Sequence, residues 1–171
     1  MEILKRVGKS FIGIIVFVFI LGLYYYLPKT EIVHVIGTEV KWIDKKGNEK
    51  LAKDVRYIFT KDAITNKSSV FRNEDMPWPP YFKFDSGDLS GQAMALEKTQ
   101  PLPTVLVTYY GWRIQLFSLY PNAVALEVVE AGYQHIPWFN IVFLSTLLIF
   151  IGWVWWKLKK WTHKESSLPG A

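Results

Sequence analysis

The sequence has no cysteine. Disulfides, thiolate metal sites and cysteine nucleophiles are therefore excluded, and any folded part must stand on its hydrophobic core. Histidine is scarce. His34, His135 and His163 are the only three, and no two are spaced as H-x-x-x-H or H-E-x-x-H. A G-x-S-x-G elbow and a phosphate-cradling glycine loop are missing too. These absences predict no catalytic residue, no cofactor site and no metal site, so the chain reads as a non-enzyme. A positive surplus is missing from the middle of the chain. Residues 28–136 hold 13 Lys and Arg against 13 Asp and Glu, although the whole chain carries +5. A domain without a positive field is not expected to bind nucleic acid.

Charge is also missing from two long apolar stretches. From Ser10 to Pro28 there are 19 uncharged residues, twelve of them Ile, Leu, Val or Phe. At ~1.5 Å per residue such a helix reaches ~28 Å, close to the ~30 Å hydrocarbon core. Tyr24, Tyr25 and Tyr26 then suggest an interfacial belt, and Pro28 ends the helix. A cleaved signal peptide is the rival reading; no A-x-A-like site follows the stretch, so an uncleaved anchor is expected. The second stretch, 137–156, has Trp138 at one end and Trp153, Trp155, Trp156 and Trp161 at the other. Neither contains Asp, Glu, Lys or Arg, which argues against an ion pathway. Ser145 and Thr146 are expected to bond back to their own helix, with a helix–helix contact as the alternative.

The excess positive charge flanks these stretches. Lys5, Arg6 and Lys9 precede the first; Lys157, Lys159 and Lys160 follow the second. Positive flanks mark the cytoplasmic side. The expected layout is a cytoplasmic tail at 1–9, a transmembrane helix at 10–27 and an extracytoplasmic β-rich domain at 28–136. A second transmembrane helix at 137–156 and a cytoplasmic tail at 157–171 complete it. The protein is thus expected to be a multi-pass membrane protein with both termini inside.

The domain between the spans alternates with period two. Strands are expected at Ile32–Ile36 and Thr38–Trp42, around Val55–Thr60, at Tyr81–Asp85, at Val105–Tyr110, at Trp112–Leu116 and at Ala123–Val129. Lys45-Lys46-Gly47-Asn48 reads as a turn. One helix interrupts them, capped by Asp85 or Ser86, buried along Leu89, Ala93 and Leu96, and stopped by Gln100-Pro101-Leu102-Pro103. The fold class is α+β, mostly β: a small OB-like barrel with one helix, or an open antiparallel sheet with one helix.

The carboxylates Glu74-Asp75 and Asp85/Asp88 read as loop and cap residues in place of a catalytic pair. The most unusual stretch is Phe71 to Tyr81, in which Pro77, Pro79 and Pro80 stiffen a loop carrying Met76, Trp78 and Tyr81. Arg72, Met76, Trp78 and Tyr81 are the candidate partner contacts; the alternative is that Trp78 packs on the barrel or lies in the lipid interface. Asn66-Lys67-Ser68 matches a glycosylation sequon, which matters only in a eukaryotic secretory setting.

Several segments resemble an uncharacterised family of small membrane-anchored bacterial and prophage proteins. They are Val35–Lys41, Asp54–Ile58, Phe71–Asp75, Trp78–Asp85, Tyr110–Ile114 and Pro121–Val124. That family has no assigned function and implies no catalytic residues; its loop around Trp78 is longer and richer in Gly and Trp than the one here. In size and layout the chain also resembles the superinfection exclusion A proteins of temperate phages. That resemblance implies a prophage product blocking entry of incoming phage DNA at the inner membrane. The expected partners are the lipid bilayer and, for the outer domain, an ejected phage protein or another inner-membrane protein. A host cell-envelope binding protein is the alternative, and an unrecognised enzyme the third reading.

Overall fold

A computed structural model describes residues 2–43 and 53–165, with side chains at 7, 10–41 and 55–161. The expected turn at Lys45–Asn48 lies outside the described residues. The elements are α1 (Glu2–Tyr26), β1 (Lys29–Ile43), β2 (Lys53–Asp62), β3 (Ser68–Asn73), α2 (Ser86–Lys98), β4 (Val105–Tyr110), β5 (Asn122–Val128) and α3 (Trp138–Glu165).

The strands close into a barrel in the order β1-β2-β3-β5-β4, with β4 returning to β1. This is the OB-like order, with α2 between β3 and β4, and it decides against the open sheet. Closure rests on the length of β1. Its first part, Lys29–Val33, pairs with β4, and the stretch from Val33 to Ile43 pairs with β2. The register shifts between Val35 and Gly37, where one strand bends from one neighbour to the other. Among the described strands the pairings are antiparallel except for one parallel contact, Arg72 opposite Asn122, between β3 and β5.

The core follows from alternation. Val33, Val35, Ile58, Phe71, Val105, Val107, Ala123 and Leu126 fill the barrel, and the Leu89, Ala93 and Leu96 stripe of α2 packs against them. Those helix residues are the ones that period 3.6 puts on one face. Asp85 precedes the helix without a side-chain capping bond. The cap comes from Asp75, whose Oδ1 accepts the Ser86 N–H at 3.0 Å, so a loop carboxylate occupies the role expected of Asp85.

Two expected strands are absent. Tyr81–Asp85 forms only one isolated bridge, Met76 to Lys83. There the alternation runs backwards, burying Lys83 and exposing Phe82 and Phe84. Trp112–Leu116 also fails, because Gly111 turns the chain at φ +94 and a 3-10 turn covers Gln115–Phe117. The strand that does exist, β3, carries Ser68, Ser69, Arg72 and Asn73, residue types that hide a strand from pattern reading.

α3 forms a unit by itself. Trp138–Trp161 is long and apolar enough to cross a membrane, at ~36 Å for 24 residues. Thr146 Oγ1 donates to the Val142 carbonyl at 2.8 Å, the back-bond expected of it. The apolar part of α1, Ser10–Tyr26, is shorter.

Candidate functional site

The Pro-rich loop between β3 and α2 is built on a buried lysine. Lys83 is 4 % exposed, and its Nζ donates to Asn73 Oδ1 at 2.5 Å and to the Ala123 carbonyl at 2.6 Å. Asn73, the last residue of β3, passes the connection on: its Nδ2 donates to the Ser86 carbonyl and to Ser90 Oγ, both at 2.8 Å. Arg56 Nη1 donates to Ser86 Oγ. Burial holds the Lys83 ammonium down at about 8, against the opposing pull of Asp85 and Asp75. Burial raises the Asp75 carboxyl, but hydrogen bonds from Ser86 and the charges of Lys83 and Arg56 bring it below the usual carboxylate range.

A second set of bonds holds the other end of the loop. Asn122 Oδ1 accepts the Glu74 N–H, and its Nδ2 donates to the Glu74 carbonyl and to the Tyr110 hydroxyl. Arg72 pairs with Glu74. The loop is thus fixed at Glu74, Asp75, Met76, Lys83 and Ser86, and the Met76 and Lys83 backbones bond to each other at both positions.

On this frame the four candidate contacts separate. Trp78 is 69 % exposed, and Phe82, whose N–H donates to the Trp78 carbonyl, and Phe84 are exposed too. Tyr81 stacks on Tyr110 at 4.5 Å between ring centroids and donates its hydroxyl to the Tyr26 carbonyl. Burial and the neighbouring Tyr110 push its phenol up. Met76 is half-buried, and Arg72 is engaged by Glu74 while its N–H donates to the Pro121 carbonyl. Phe82 and Phe84, expected only as alternating residues of a strand at Tyr81–Asp85, are exposed side chains of the loop.

Two of the three tyrosines of the triplet pack on the barrel. Tyr25 meets Trp112 and Tyr110 edge-on, and Tyr26 stacks on Tyr110. Gly111 N–H donates to the Tyr25 carbonyl at 2.9 Å. Helix α1 therefore runs straight into the barrel. On the other flank of that helix end lies the open mouth of the barrel, a groove of about 690 Å³ whose wall includes Leu21, Tyr24, Lys29, Glu31, Tyr109 and Trp112.

His34 Nδ1 meets the Pro103 carbonyl at 2.9 Å, a structural bond, and His135 lies exposed beside Tyr133. The His163 side chain lies outside those described, as do those of Lys5, Arg6 and Lys9, which fall within α1. Lys157, Lys159 and Lys160 sit on α3 over the rings of Trp153, Trp155 and Trp156. Among the described residues no three His, Cys, Asp or Glu gather as a metal site.

A Haemophilus influenzae protein described as "Uncharacterized protein" is 34% identical over 169 residues, covering 88% of this chain and 95% of its own length. No solved structure matches. The family described as "Protein of unknown function (DUF1523)" matches residues 4–162, barrel and both long helices included. The chain belongs to that family, and the barrel with its braced aromatic loop is the fold on which its role must be read.

Proposed function

We propose that this is a non-enzymatic membrane-held interaction protein, in which Trp78, Phe82 and Phe84 form the contact surface for another protein at the membrane. One observation carries the reading. The loop is fixed to the barrel by the Lys83–Asn73 and Asn122–Glu74 bonds, yet it leaves three large aromatics in solvent. Tryptophan dominates the energetics of protein contacts, and a loop already ordered gives up little entropy on binding. In this reading α1 and α3 both cross the bacterial inner membrane, both termini are cytoplasmic, and residues 28–136 are periplasmic. The flanking lysines and arginines support that orientation.

The specific setting proposed is superinfection exclusion. The aromatic surface would engage an ejected phage protein as it assembles a conduit at the inner membrane, stopping DNA entry without breaking any bond. The resemblance in size and layout supports it. The test is expression of the full chain, with membrane location confirmed, followed by challenge with a panel of phages and measurement of DNA entry. Reduced entry of at least one phage, lost in Trp78→Ala at equal protein level, is the expected result. Normal entry by every phage removes the exclusion reading. Reduced entry that survives both Trp78→Ala and Phe84→Ala clears the loop.

A further inference from the structure

We propose that the mouth of the barrel is a binding site for the phosphate of an anionic phospholipid, held by Lys29, Arg113 and Lys67 beside the end of α1. The groove of about 690 Å³ is lined by those three cations and by one carboxylate, Glu31. Glu31 is already engaged, accepting a hydrogen bond from Ser69 Oγ at 3.1 Å. None of the three cations pairs with a carboxylate among the described residues. Among the described residues, Lys29 Nζ donates to the Gly111 carbonyl at 3.2 Å and lies over the Tyr24 ring, and Arg113 donates to the Leu119 carbonyl and lies over the Tyr120 ring. The indole Nε1 of Trp112, in the same wall, is buried without an acceptor. A buried donor left unmade costs about 1–3 kcal/mol, and an acceptor oxygen from a ligand would remove that cost.

Alternation explains why charge gathers here. Lys29 and Glu31 share the inward parity of Val33 and Val35, so they face the barrel interior at its open end. Burial pushes the Lys29 ammonium down, and an anionic oxygen beside it would restore the charged form.

Two features select a lipid over a free anion. The groove wall includes Leu21 and Tyr24, the end of an apolar helix, so that the headgroup layer would meet the groove where α1 leaves the hydrocarbon. Beyond it the turn Gln115–Phe117 holds Leu116 and Phe117 at 85 % and 68 % exposed, apolar side chains of the length and placement to enter an acyl region. Phosphate on the cations and chains along Leu21, Ile114 and Phe117 match a single amphiphile.

This inference rests on α1 lying in the membrane and not on the protein contact at Trp78. The full chain, purified in dodecyl maltoside, is melted with added dioleoyl phosphatidylglycerol, dioleoyl phosphatidylcholine, glycerol 3-phosphate or inorganic phosphate. Phosphatidylglycerol is expected to raise Tm; the other three are not at matched concentration. Lys29→Gln with Arg113→Gln should weaken the lipid response at least about tenfold in concentration, and Glu31→Gln should strengthen it. If Lys29→Gln does not fold, Arg113→Gln with Lys67→Gln gives the same reading, since both side chains are exposed. Equal shifts from the two lipids, equal shifts from inorganic phosphate, or an unaltered response in the variants overturn the proposal. Extraction of membranes at alkaline pH separates the two failures: a chain that stays in the pellet yet ignores phosphatidylglycerol retains its anchor and loses only this site.

Discussion

Tyr81 and Tyr26 stand 55 positions apart, and the phenol of the first donates to the main-chain carbonyl of the second. The last carbonyls of an α-helix have no partner within the helix. Here the domain supplies two: the Tyr81 hydroxyl caps Tyr26, and the Gly111 N–H caps Tyr25. The helix end is thus capped by barrel and loop. Tyr24 and Tyr26 are two residues, or about 200°, apart around the helix, so the lipid groove and the aromatic loop take opposite flanks of it. Tyr81→Phe removes the capping bond and keeps the stack on Tyr110. It should cost about 1 kcal/mol, lowering Tm by roughly 4 °C, and should raise hydrogen exchange around Leu27–Thr30.

Lys83 gives the domain a defined pH profile. Its folded ammonium is held down at about 8 by burial, whereas the unfolded value is 10.5. Between those values the unfolded chain keeps a proton that the folded chain has released, so raising the pH favours folding. Tyr81, Tyr109 and Tyr110 act in the opposite sense. Burial raises their phenols above 10.0, so above that pH the folded chain keeps protons that the unfolded chain sheds, and stability falls. Denaturant unfolding should show stability climbing by roughly 2 kcal/mol from pH 7.5 to a maximum between pH 9 and 10. In Lys83→Met the climb should vanish while the alkaline fall remains.

Arg72 and Trp78, adjacent candidates by sequence pattern, should part company in stability. Arg72 pairs with Glu74 and sits on β3 opposite Asn122, whereas Trp78 stands 69 % exposed. Trp78→Ala should change unfolding free energy by no more than about 0.5 kcal/mol. Arg72→Ala should cost about 1–3 kcal/mol, because the Glu74 carboxylate loses its charged partner at the loop's root. A loss of function in Arg72→Ala is therefore meaningful only beside its melting curve.

The core was legible in the apolar runs holding Val33 and Val35 and Val105 and Val107, and in the helix stripe of Leu89, Ala93 and Leu96, whereas closure into a barrel was not, because an open sheet has the same element order. The core was misread where polar residues face inward. Asn73 is fully buried because it joins Lys83 to Ser86 and Ser90, a partnership across 10 to 17 positions that no local window contains. The same network explains Phe82 and Phe84: once Lys83 turns in, its neighbours must turn out. Asp75 escaped notice as a cap because its partner lies 11 residues on. The cations Lys29, Lys67 and Arg113 look dispersed along the chain, and only closure of β1 onto β4 brings them around one mouth.

Gly111 is the residue on which the join between helix and barrel turns. Its φ of +94 is reached easily only without a side chain, its N–H caps Tyr25, and its carbonyl accepts from Lys29. A Cβ would meet Pro121 and the Tyr25 ring at 3.6 Å, ordinary contact, so space is not the obstacle. Gly111→Ala should therefore cost about 1–2 kcal/mol through the backbone alone. The response to phosphatidylglycerol should weaken with it, because Lys29 loses its orientation.

The absence of cysteine makes orientation directly measurable, since a single introduced thiol is the only one in the chain. Ile64 lies in the turn after β2 and is 85 % exposed, held by Asp62 Oδ1, which accepts from the Ile64 and Thr65 N–H groups. Replacing Ile64 removes no buried surface, and its N–H bond to Asp62 belongs to the backbone, so the domain should keep its fold. In cells made permeable only at the outer membrane, Ile64→Cys should react fully with a membrane-impermeant maleimide. Thiol labelling of the same variant after complete lysis sets the maximum. Full reaction before lysis places the barrel on the outer face of the inner membrane, the orientation proposed from the flanking lysines. Reaction only after lysis would put the barrel, the aromatic loop and the lipid groove on the cytoplasmic side, and the exclusion reading would fall with it, because ejected phage proteins would have crossed before meeting Trp78.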